Sequence, residues 1–234
     1  NGKTSTTNII ANSLKNCSST LNNFNNEIGV PLSIMNANRQ SKSLVIEMGA
    51  AKLNDINYLS SFLRPNVGVI TNIGNSHLES LKNISGVLKV KSELITNIKK
   101  GGCLVVPNDS KGHLKLWKNI RNDINIITFG LDASADFYPT DIKYSLEQTQ
   151  FYICSKKYKI KLRLTTKLAG EHNVKNILAS FAVSFFLKKP SQQFIDSLNK
   201  KIELIITRQK HSKWFKGSLL IDDTYNANPD SVKK

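Results

Sequence analysis

The sequence predicts an α/β fold with a mostly parallel sheet flanked by helices, to which an antiparallel meander is added. Short apolar runs at residues 43–50, 67–73, 103–107 and 125–129 alternate with helical patterns, as is typical of parallel sheets. Gly2-Lys3-Thr4 stands directly before the first helical pattern, where a ligand site can form. Over residues 135–166 alternating apolar and polar positions replace the helices and predict three antiparallel strands.

Length and charge narrow the class of protein. The 234 residues are enough for one large domain with a buried core. The net charge of +16 suggests a nucleic-acid-binding protein, but the lysines are spread over most segments without a dense basic helix or interleaved aromatic residues. Solvated surface lysines are therefore the preferred interpretation. No apolar run approaches the ~18 residues of a membrane span, and three scattered cysteines predict reduced thiols in a cytoplasmic protein.

The first residues resemble the end of a phosphate-binding loop entering a helix. Glycine lets backbone N–H groups approach phosphate oxygens, and a helix N-terminus adds partial positive charge. Lys3 can reach the β- and γ-phosphates, and a hydroxyl of Thr4 or Ser5 can bind Mg²⁺. The alternative is a chance Gly-Lys-Thr at a helix start. Because the chain has neither an initiator Met nor the glycine expected upstream, we expect a fragment that lacks its N-terminal part.

Two further candidates follow predicted strands. Glu47 ends the first clear strand, and His77 follows the second. The carboxyl ends of parallel strands are where open α/β sheets bind ligands, and a cation held by nucleotide phosphates needs such side chains. The alternatives are a strand-end carboxylate that faces solvent and a histidine in an ordinary loop.

A lysine interrupts an apolar stripe in the helix predicted at about residues 84–98. Lys91 falls between Val87, Leu94 and Ile98 at helical spacing. An inward lysine is costly unless it extends to solvent, pairs or loses its charge. We consider two interpretations: a lysine that reaches the surface, or one of lowered pKa that acts as a neutral amine.

The polar segments are less decisive. Residues 22–31 are predicted to form an asparagine-rich loop. Asn173 and Asn176 precede a helix predicted at residues 177–187 and either cap it or present amides to a base. A strand at residues 218–223 ends in acidic residues and leads towards another helix, so the chain is predicted to enter a further domain.

Eight segments in order along nearly the whole chain resemble the Mur ligase family. They are Gly2-Lys3-Thr4, Asn25-Asn26-Glu27-Ile28-Gly29-Val30-Pro31, Glu47-Met48-Gly49-Ala50, Arg64-Pro65, His77-Leu78-Glu79, Lys91-Ser92-Glu93, His172-Asn173-Val174-Lys175-Asn176 and Asp223-Thr224-Tyr225-Asn226-Ala227-Asn228-Pro229. Each is weak alone, but the ordered set is specific. The second and the last favour the members that join D-alanyl-D-alanine to UDP-N-acetylmuramoyl tripeptide.

The resemblance implies a three-domain, cytoplasmic and monomeric enzyme that forms an amide bond with ATP and Mg²⁺ through an acyl phosphate. Residues 1–206 would form most of the central ATP-binding domain, and residues 207–234 the start of a Rossmann-like C-terminal domain. The family commonly has arginine at the position of Glu171 and glycine at that of Thr207.

The same resemblance implies the roles of individual residues. The ATP phosphates would be held by Gly2, Lys3, Thr4 and Ser5. Adenine would contact Asn173 and Asn176, the ribose Asp223, and the transferring phosphate Arg208. The metal ligands would be Thr4, Ser5, Glu47, His77 and Lys91 as a carbamate. The substrate would lie against Asn25, Asn26, Tyr225, Asn226 and Asn228. The catalytic set would be Lys3, His77, Lys91 and Arg208.

Three other functions remain open from the sequence. Another Mur-type or folylpolyglutamate-type ligase would share these motifs and differ in the incoming amine. A nucleotide-binding module without ligase activity would keep the phosphate loop but would not need Glu47, His77 and Lys91 together. A basic nucleic-acid-binding protein is supported by charge alone.

Overall fold

A computed structural model describes residues 1–50, 52–73, 84–108, 111–145, 148–200 and 210–222. The parallel strands are β1 (Cys17–Ser19), β2 (Ser43–Val45), β3 (Val67–Val69), β4 (Cys103–Pro107) and β5 (Asn125–Phe129). Within the described ranges, hydrogen bonds join them as a β1-β2 pair and a β3-β4-β5 sheet. The predicted mixed α/β fold with parallel strands is confirmed, although the strands form two hydrogen-bonded groups rather than one.

Seven helices connect or cover these strands in the described part of the chain. They are α1 (Lys3–Ser13), α2 (Gly29–Met35), α3 (Asp55–Leu63), α4 (Ile84–Ser92), α5 (Lys111–Ile120), α6 (Glu171–Phe186) and α7 (Ser191–Lys200). A 3₁₀ turn, Glu93–Asn97, continues α4. This gives the βα alternation that places helix starts and strand ends on one edge of a sheet.

The antiparallel meander is also confirmed. It consists of β6 (Tyr138–Tyr144), β7 (Thr149–Ser155) and β8 (Ile160–Thr166), paired in that order. A second antiparallel pair, β9 (Lys210–Lys213) with β10 (Leu219–Asp222), follows further along the chain. The sequence predicted β10 but not β9, which is short and polar and carries no alternating pattern.

The main core is built around α6. Ile177 and Phe181 of this helix are buried and belong to one apolar cluster with Ile9 of α1 and Val105 of β4. Phe137, at the entrance to the meander, packs edge to face against Phe181 with 5.2 Å between ring centroids. Because α6 packs against both α1 and the sheet, the start of α1 is held in a fixed position beside it.

Three elements differ from the sequence-based expectation. The strand Cys17–Ser19 lies in a segment for which the sequence predicts no strand, and the helix Gly29–Met35 begins within the loop predicted at residues 22–31. The helix α6 begins at Glu171, six residues before the predicted start at residue 177. Residues 171–176 are polar except for Val174, so the apolar pattern alone does not show this part of the helix.

No helix in the described ranges is long and apolar enough to cross a membrane. The predicted domain boundary after residue 206 lies outside the described residues.

Candidate functional site

The N-terminus of α1 is open to a ligand. Gly2 precedes the helix in the left-handed conformation, with φ 81° and ψ −7°, and no side chain of the described residues caps it. The first N–H group to find a helical acceptor is that of Thr6, which donates to the Gly2 carbonyl at 2.9 Å. The backbone N–H groups of Lys3, Thr4 and Ser5 therefore face out of the helix end, where they suit the oxygens of an anion such as phosphate.

Helix α6 places an amide directly against this turn. A Cβ atom at Gly2 would lie 2.5 Å from Asn176 Oδ1, so only glycine fits here. Thr6 Oγ1 donates to the same Asn176 oxygen at 3.3 Å. Asn176 Nδ2 donates to Asn173 Oδ1 at 3.4 Å, and Asn173 Nδ2 donates to the Ala169 carbonyl at 2.7 Å. The structure thus brings the two predicted amides together beside the loop, within the first turns of α6 and not ahead of them.

Glu47 is buried at the end of the strand region that follows β2, with 6% of its surface exposed. Its Oε1 accepts a hydrogen bond from Asn25 Nδ2 at 2.8 Å, and its backbone N–H donates to Thr20 Oγ1 at 2.6 Å. Asn25 is itself fixed, because its carbonyl accepts the N–H of Gly49 at 2.6 Å. No described residue donates a hydrogen bond to Glu47 Oε2. A buried carboxylate with one oxygen left over suits a hard cation such as Mg²⁺.

Lys91 points inward from α4, as one of the two interpretations of the sequence required. Its Nζ donates to the carbonyl of Asn72, just beyond β3. The neighbouring Thr71 Oγ1 donates to the Asn1 carbonyl at 2.9 Å, so this strand end touches the loop before α1. The pKa of Lys91 is lowered from 10.5 to about 8. Burial is the larger cause, and the positive charge of Lys3 is the smaller one.

Lys3, the first residue of α1, is therefore near enough to the buried Lys91 of α4 for their charges to repel. Within the described residues, no carboxylate forms an ion pair with Lys3 or Lys91. Two close ammonium groups repel each other, and the repulsion is relieved when an anion binds or when one of them loses its charge. The chemistry of this end of α1 thus fits the phosphates of a nucleotide.

The residues after Lys91 anchor α4 to its neighbours. Ser92 Oγ accepts the indole N–H of Trp117 of α5 at 2.9 Å. Glu93 accepts the backbone N–H groups of Asn54 at 2.7 Å and Asn57 at 3.1 Å, and so caps the start of α3. Lys91, Ser92 and Glu93 each bond to a different element.

Other predicted residues have structural roles or lie outside the description. Asn26 Oδ1 accepts the N–H groups of Gly29 at 2.8 Å and Ile28 at 3.3 Å and caps α2. Six predicted site residues fall outside the described ranges: His77, Arg208, Asp223, Tyr225, Asn226 and Asn228. Among the residues that are described, no three His, Cys, Asp or Glu side chains form a metal-binding group. The roles of all these residues, and of Asn25 and Asn26 towards a substrate, stay predictions.

The structure adds three residues that the sequence did not single out. Thr20 Oγ1 accepts a hydrogen bond from the backbone N–H of Glu47, Thr71 Oγ1 donates one to the loop before α1, and the Asn72 carbonyl accepts one from Lys91 Nζ. For the last two a signal was present, because Thr71-Asn72 interrupts an apolar strand at its carboxyl end. Thr20 lies in a polar segment with no such signal.

The comparisons with known proteins agree with this geometry. The family model described as the Mur ligase middle domain matches residues 1–184. The chain is 32% identical over 234 residues to the UDP-N-acetylmuramoyl-tripeptide--D-alanyl-D-alanine ligase of Buchnera aphidicola subsp. Baizongia pistaciae, covering 99% of this chain and 50% of that protein.

Two solved structures are similar over the whole chain. MurF from Acinetobacter baumannii is 27% identical with a TM-score of 0.89, over 100% of this chain and 51% of that one. MurF from Thermotoga maritima, solved in complex with ADP, is 29% identical with a TM-score of 0.81, over 99% of this chain and 53% of that one. The chain spans about half the length of the relatives it matches. With the family model matching well over half of its residues, the chain belongs to the Mur ligase family.

Proposed function

We propose that this chain is the ATP-binding part of a ligase that joins D-alanyl-D-alanine to UDP-N-acetylmuramoyl tripeptide. The observation that carries the proposal is the uncapped start of α1, where Lys3 lies beside the buried, inward-pointing Lys91 and neither is paired with a carboxylate in the described residues. The relatives named above, one of them solved with ADP, support the same reaction.

The chemistry requires activation of a carboxylate. A carboxylate is a poor electrophile, so its oxygen first takes the γ-phosphoryl group of ATP and ADP is released. The amine of D-alanyl-D-alanine then attacks the carbonyl carbon, the nitrogen loses a proton, and inorganic phosphate leaves as the amide forms. Negative charge builds on the transferring phosphoryl oxygens, where fixed positive groups lower the barrier.

This chain would supply those positive groups and hold the nucleotide. The N–H groups after Gly2 and the Lys3 ammonium would bind the phosphates, and the amides of Asn173 and Asn176 would face the adenine. Thr4, Ser5 and Glu47 fit Mg²⁺, which would supply charge neutralisation between the phosphates and the substrate carboxylate.

Lys91 is suited to carbamate formation. With its pKa lowered to about 8, about one Lys91 in ten is a neutral amine at pH 7, far more than for an ordinary lysine. The neutral nitrogen can form a bond to the carbon of CO₂ with release of a proton. The product replaces a cation beside Lys3 with an anion, which removes the repulsion and adds an oxygen ligand for a metal.

The remaining roles rest on the resemblance to the family. We propose His77 as a metal ligand, Arg208 on the transferring phosphate and Asp223 on the ribose. Tyr225, Asn226 and Asn228 would lie towards the substrate. The domain boundary after residue 206, a Rossmann-like third domain, a monomeric state and a cytoplasmic location are part of the same proposal; the three cysteines are free, which is consistent with the cytoplasm.

The test is phosphate release by the full-length protein from MgATP and UDP-N-acetylmuramoyl tripeptide, with D-alanyl-D-alanine, D-alanine or L-lysine as the amine. We expect release that depends on D-alanyl-D-alanine and is lost in Lys91→Ala. The matched control is Lys89→Ala, an exposed lysine on the same helix, which should keep its activity. Release with another amine would keep the family and change the substrate, and ATP binding without release would favour a non-catalytic module.

A further inference from the structure

The turn between β9 and β10 presents two adjacent aromatic side chains to solvent. Trp214 and Phe215 are 64% and 75% exposed at the tip of this hairpin. The turn is well defined, because Trp214 N–H donates to the Ser218 carbonyl at 2.7 Å and Gly217 N–H donates to the Trp214 carbonyl at 3.2 Å. Two adjacent exposed aromatic side chains form an apolar patch at which a partner can bind.

The charge of the hairpin indicates which partner. Its sequence from residue 210 to 222 contains Lys210, Lys213 and Lys216, with Asp222 as its single acidic residue. Lys216 Nζ lies 5.5 Å from the centroid of the Phe215 ring, so a cation accompanies the aromatic tip. The combination of aromatic rings and flanking lysines is complementary to a negatively charged surface with an apolar layer beneath it.

The shape of the turn favours a soft surface over a small ligand. Residues 214–218 are all exposed, and a Cβ atom at Gly217 would meet no other atom within 4 Å. A convex tip of this kind cannot enclose a small molecule, which requires a concave site. Trp and Phe at such a tip can instead enter the headgroup region of a lipid layer, where tryptophan is favoured.

We propose that the β9–β10 tip docks this protein on an anionic lipid surface. Trp214 and Phe215 enter the interface, and the net positive charge of the hairpin attracts the lipid phosphates. The interaction is peripheral and reversible, and it requires no membrane-spanning helix. It is independent of the proposed ligase activity, because the tip contains none of the residues placed at the nucleotide site.

A second exposed aromatic pair provides a matched control. Tyr58 and Phe62 of α3 are each 51% exposed and pack edge to face with 4.8 Å between ring centroids. Helix α3 carries Asp55 in its first turn and no lysine or arginine. These residues match the tip in aromatic exposure but not in charge, so replacing them should leave lipid binding unchanged.

The experiment measures co-sedimentation of the full-length protein with vesicles of phosphatidylcholine, with and without phosphatidylglycerol. We expect binding to the mixed vesicles, weaker binding at high salt, and loss of most binding in the double variant Trp214→Ser/Phe215→Ser. Lys213→Gln and Lys216→Gln should each lower the affinity about fivefold. Tyr58→Ser/Phe62→Ser should bind as the unchanged protein does.

Tryptophan fluorescence locates the contact. Brominated lipids should quench an emission component that is present in the unchanged protein and missing in Trp214→Phe. The proposal is overturned if the two double variants bind the vesicles equally well, or if brominated lipids do not quench Trp214. It is also overturned if acrylamide does not quench Trp214 in the lipid-free protein, because another part of the chain would then cover the tip. Loss of affinity for a single-stranded oligonucleotide in the tip variant, without any vesicle binding, would also overturn it and indicate a nucleic-acid contact.

Discussion

Replacing Lys91 with methionine should change the stability of the fold in a way that depends on pH. Burial and the nearby Lys3 lower the pKa of Lys91 from 10.5 to about 8. That difference corresponds to a cost of about 3 kcal/mol for keeping the ammonium form in the folded state at neutral pH. Methionine has a similar length and no charge, so Lys91→Met removes this cost. It also removes the hydrogen bond to the Asn72 carbonyl, worth about 1 kcal/mol.

The sign of the effect reverses with pH. Below about pH 8, Lys91 is protonated in both the folded and the unfolded chain, so the full cost applies and Lys91→Met is more stable by about 2 kcal/mol. Between about pH 8 and 10.5 the unfolded chain holds the proton that the folded chain has lost, so the stability of the unchanged protein rises relative to the variant. Above that range only the lost hydrogen bond remains, and the variant is less stable by about 1 kcal/mol.

Urea unfolding in CO₂-free buffer at several pH values measures the difference directly. Lys89→Met is the control, since Lys89 is exposed on the same helix and should show a difference near zero at every pH. A stability difference for Lys91→Met that does not vary with pH would refute the reasoning. Adding bicarbonate near pH 8 should stabilise the unchanged protein but not Lys91→Met, because only the former can form a carbamate in the folded state.

Three further predictions concern Glu47 in the site and two positions elsewhere in the fold. Asn25→Ala removes the amide that orients Glu47. We expect the Mg²⁺ concentration for half-maximal activity to rise about tenfold, while the affinity for ATP changes less. An unchanged Mg²⁺ dependence would show that the amide does not position the carboxylate. Glu93→Ala removes the cap of α3 and should lower the free energy of unfolding by about 1–2 kcal/mol in urea titrations, whereas Glu93→Gln should recover part of the loss. Burial raises the pKa of Cys103 to about 12, so its thiol should not react with Ellman's reagent at pH 8 until urea unfolds the chain. Rapid labelling of Cys103 in the folded protein would contradict its burial.

The success of the sequence-based prediction depended on where each element faces. The strands Cys103–Pro107 and Asn125–Phe129 were predicted with the observed ends, because apolar runs bounded by polar residues are typical of buried parallel strands. Lys91 was identified because it breaks such a pattern, and the structure shows it inward with a lowered pKa. In segments that pack into the core, the spacing of apolar residues therefore predicts the secondary structure.

The elements that were missed face solvent or the candidate site. In α2, Val30 is fully buried but Leu32 and Met35 are 39% and 81% exposed, so the apolar residues of this helix do not form a continuous core-facing stripe. The first turns of α6 are mostly polar because Asn176 accepts a hydrogen bond from Thr6 of α1 and donates one to Asn173, and neither is an apolar contact. Such positions are selected by contacts between distant parts of the chain, and a local pattern does not contain that information.

Three consecutive residues, at the end of α4 and the start of the 3₁₀ turn that continues it, constrain how this segment can change in length. Lys91, Ser92 and Glu93 bond respectively to the chain beyond β3, to α5 and to the start of α3. Removing or adding one residue earlier in α4 would turn all three side chains by about 100° around the helix axis. None would then reach its partner, and no single compensating substitution could restore three directions at once. We therefore expect Mur ligases that keep this tripeptide to keep the register of α4 without gaps, even where the surrounding sequence has diverged.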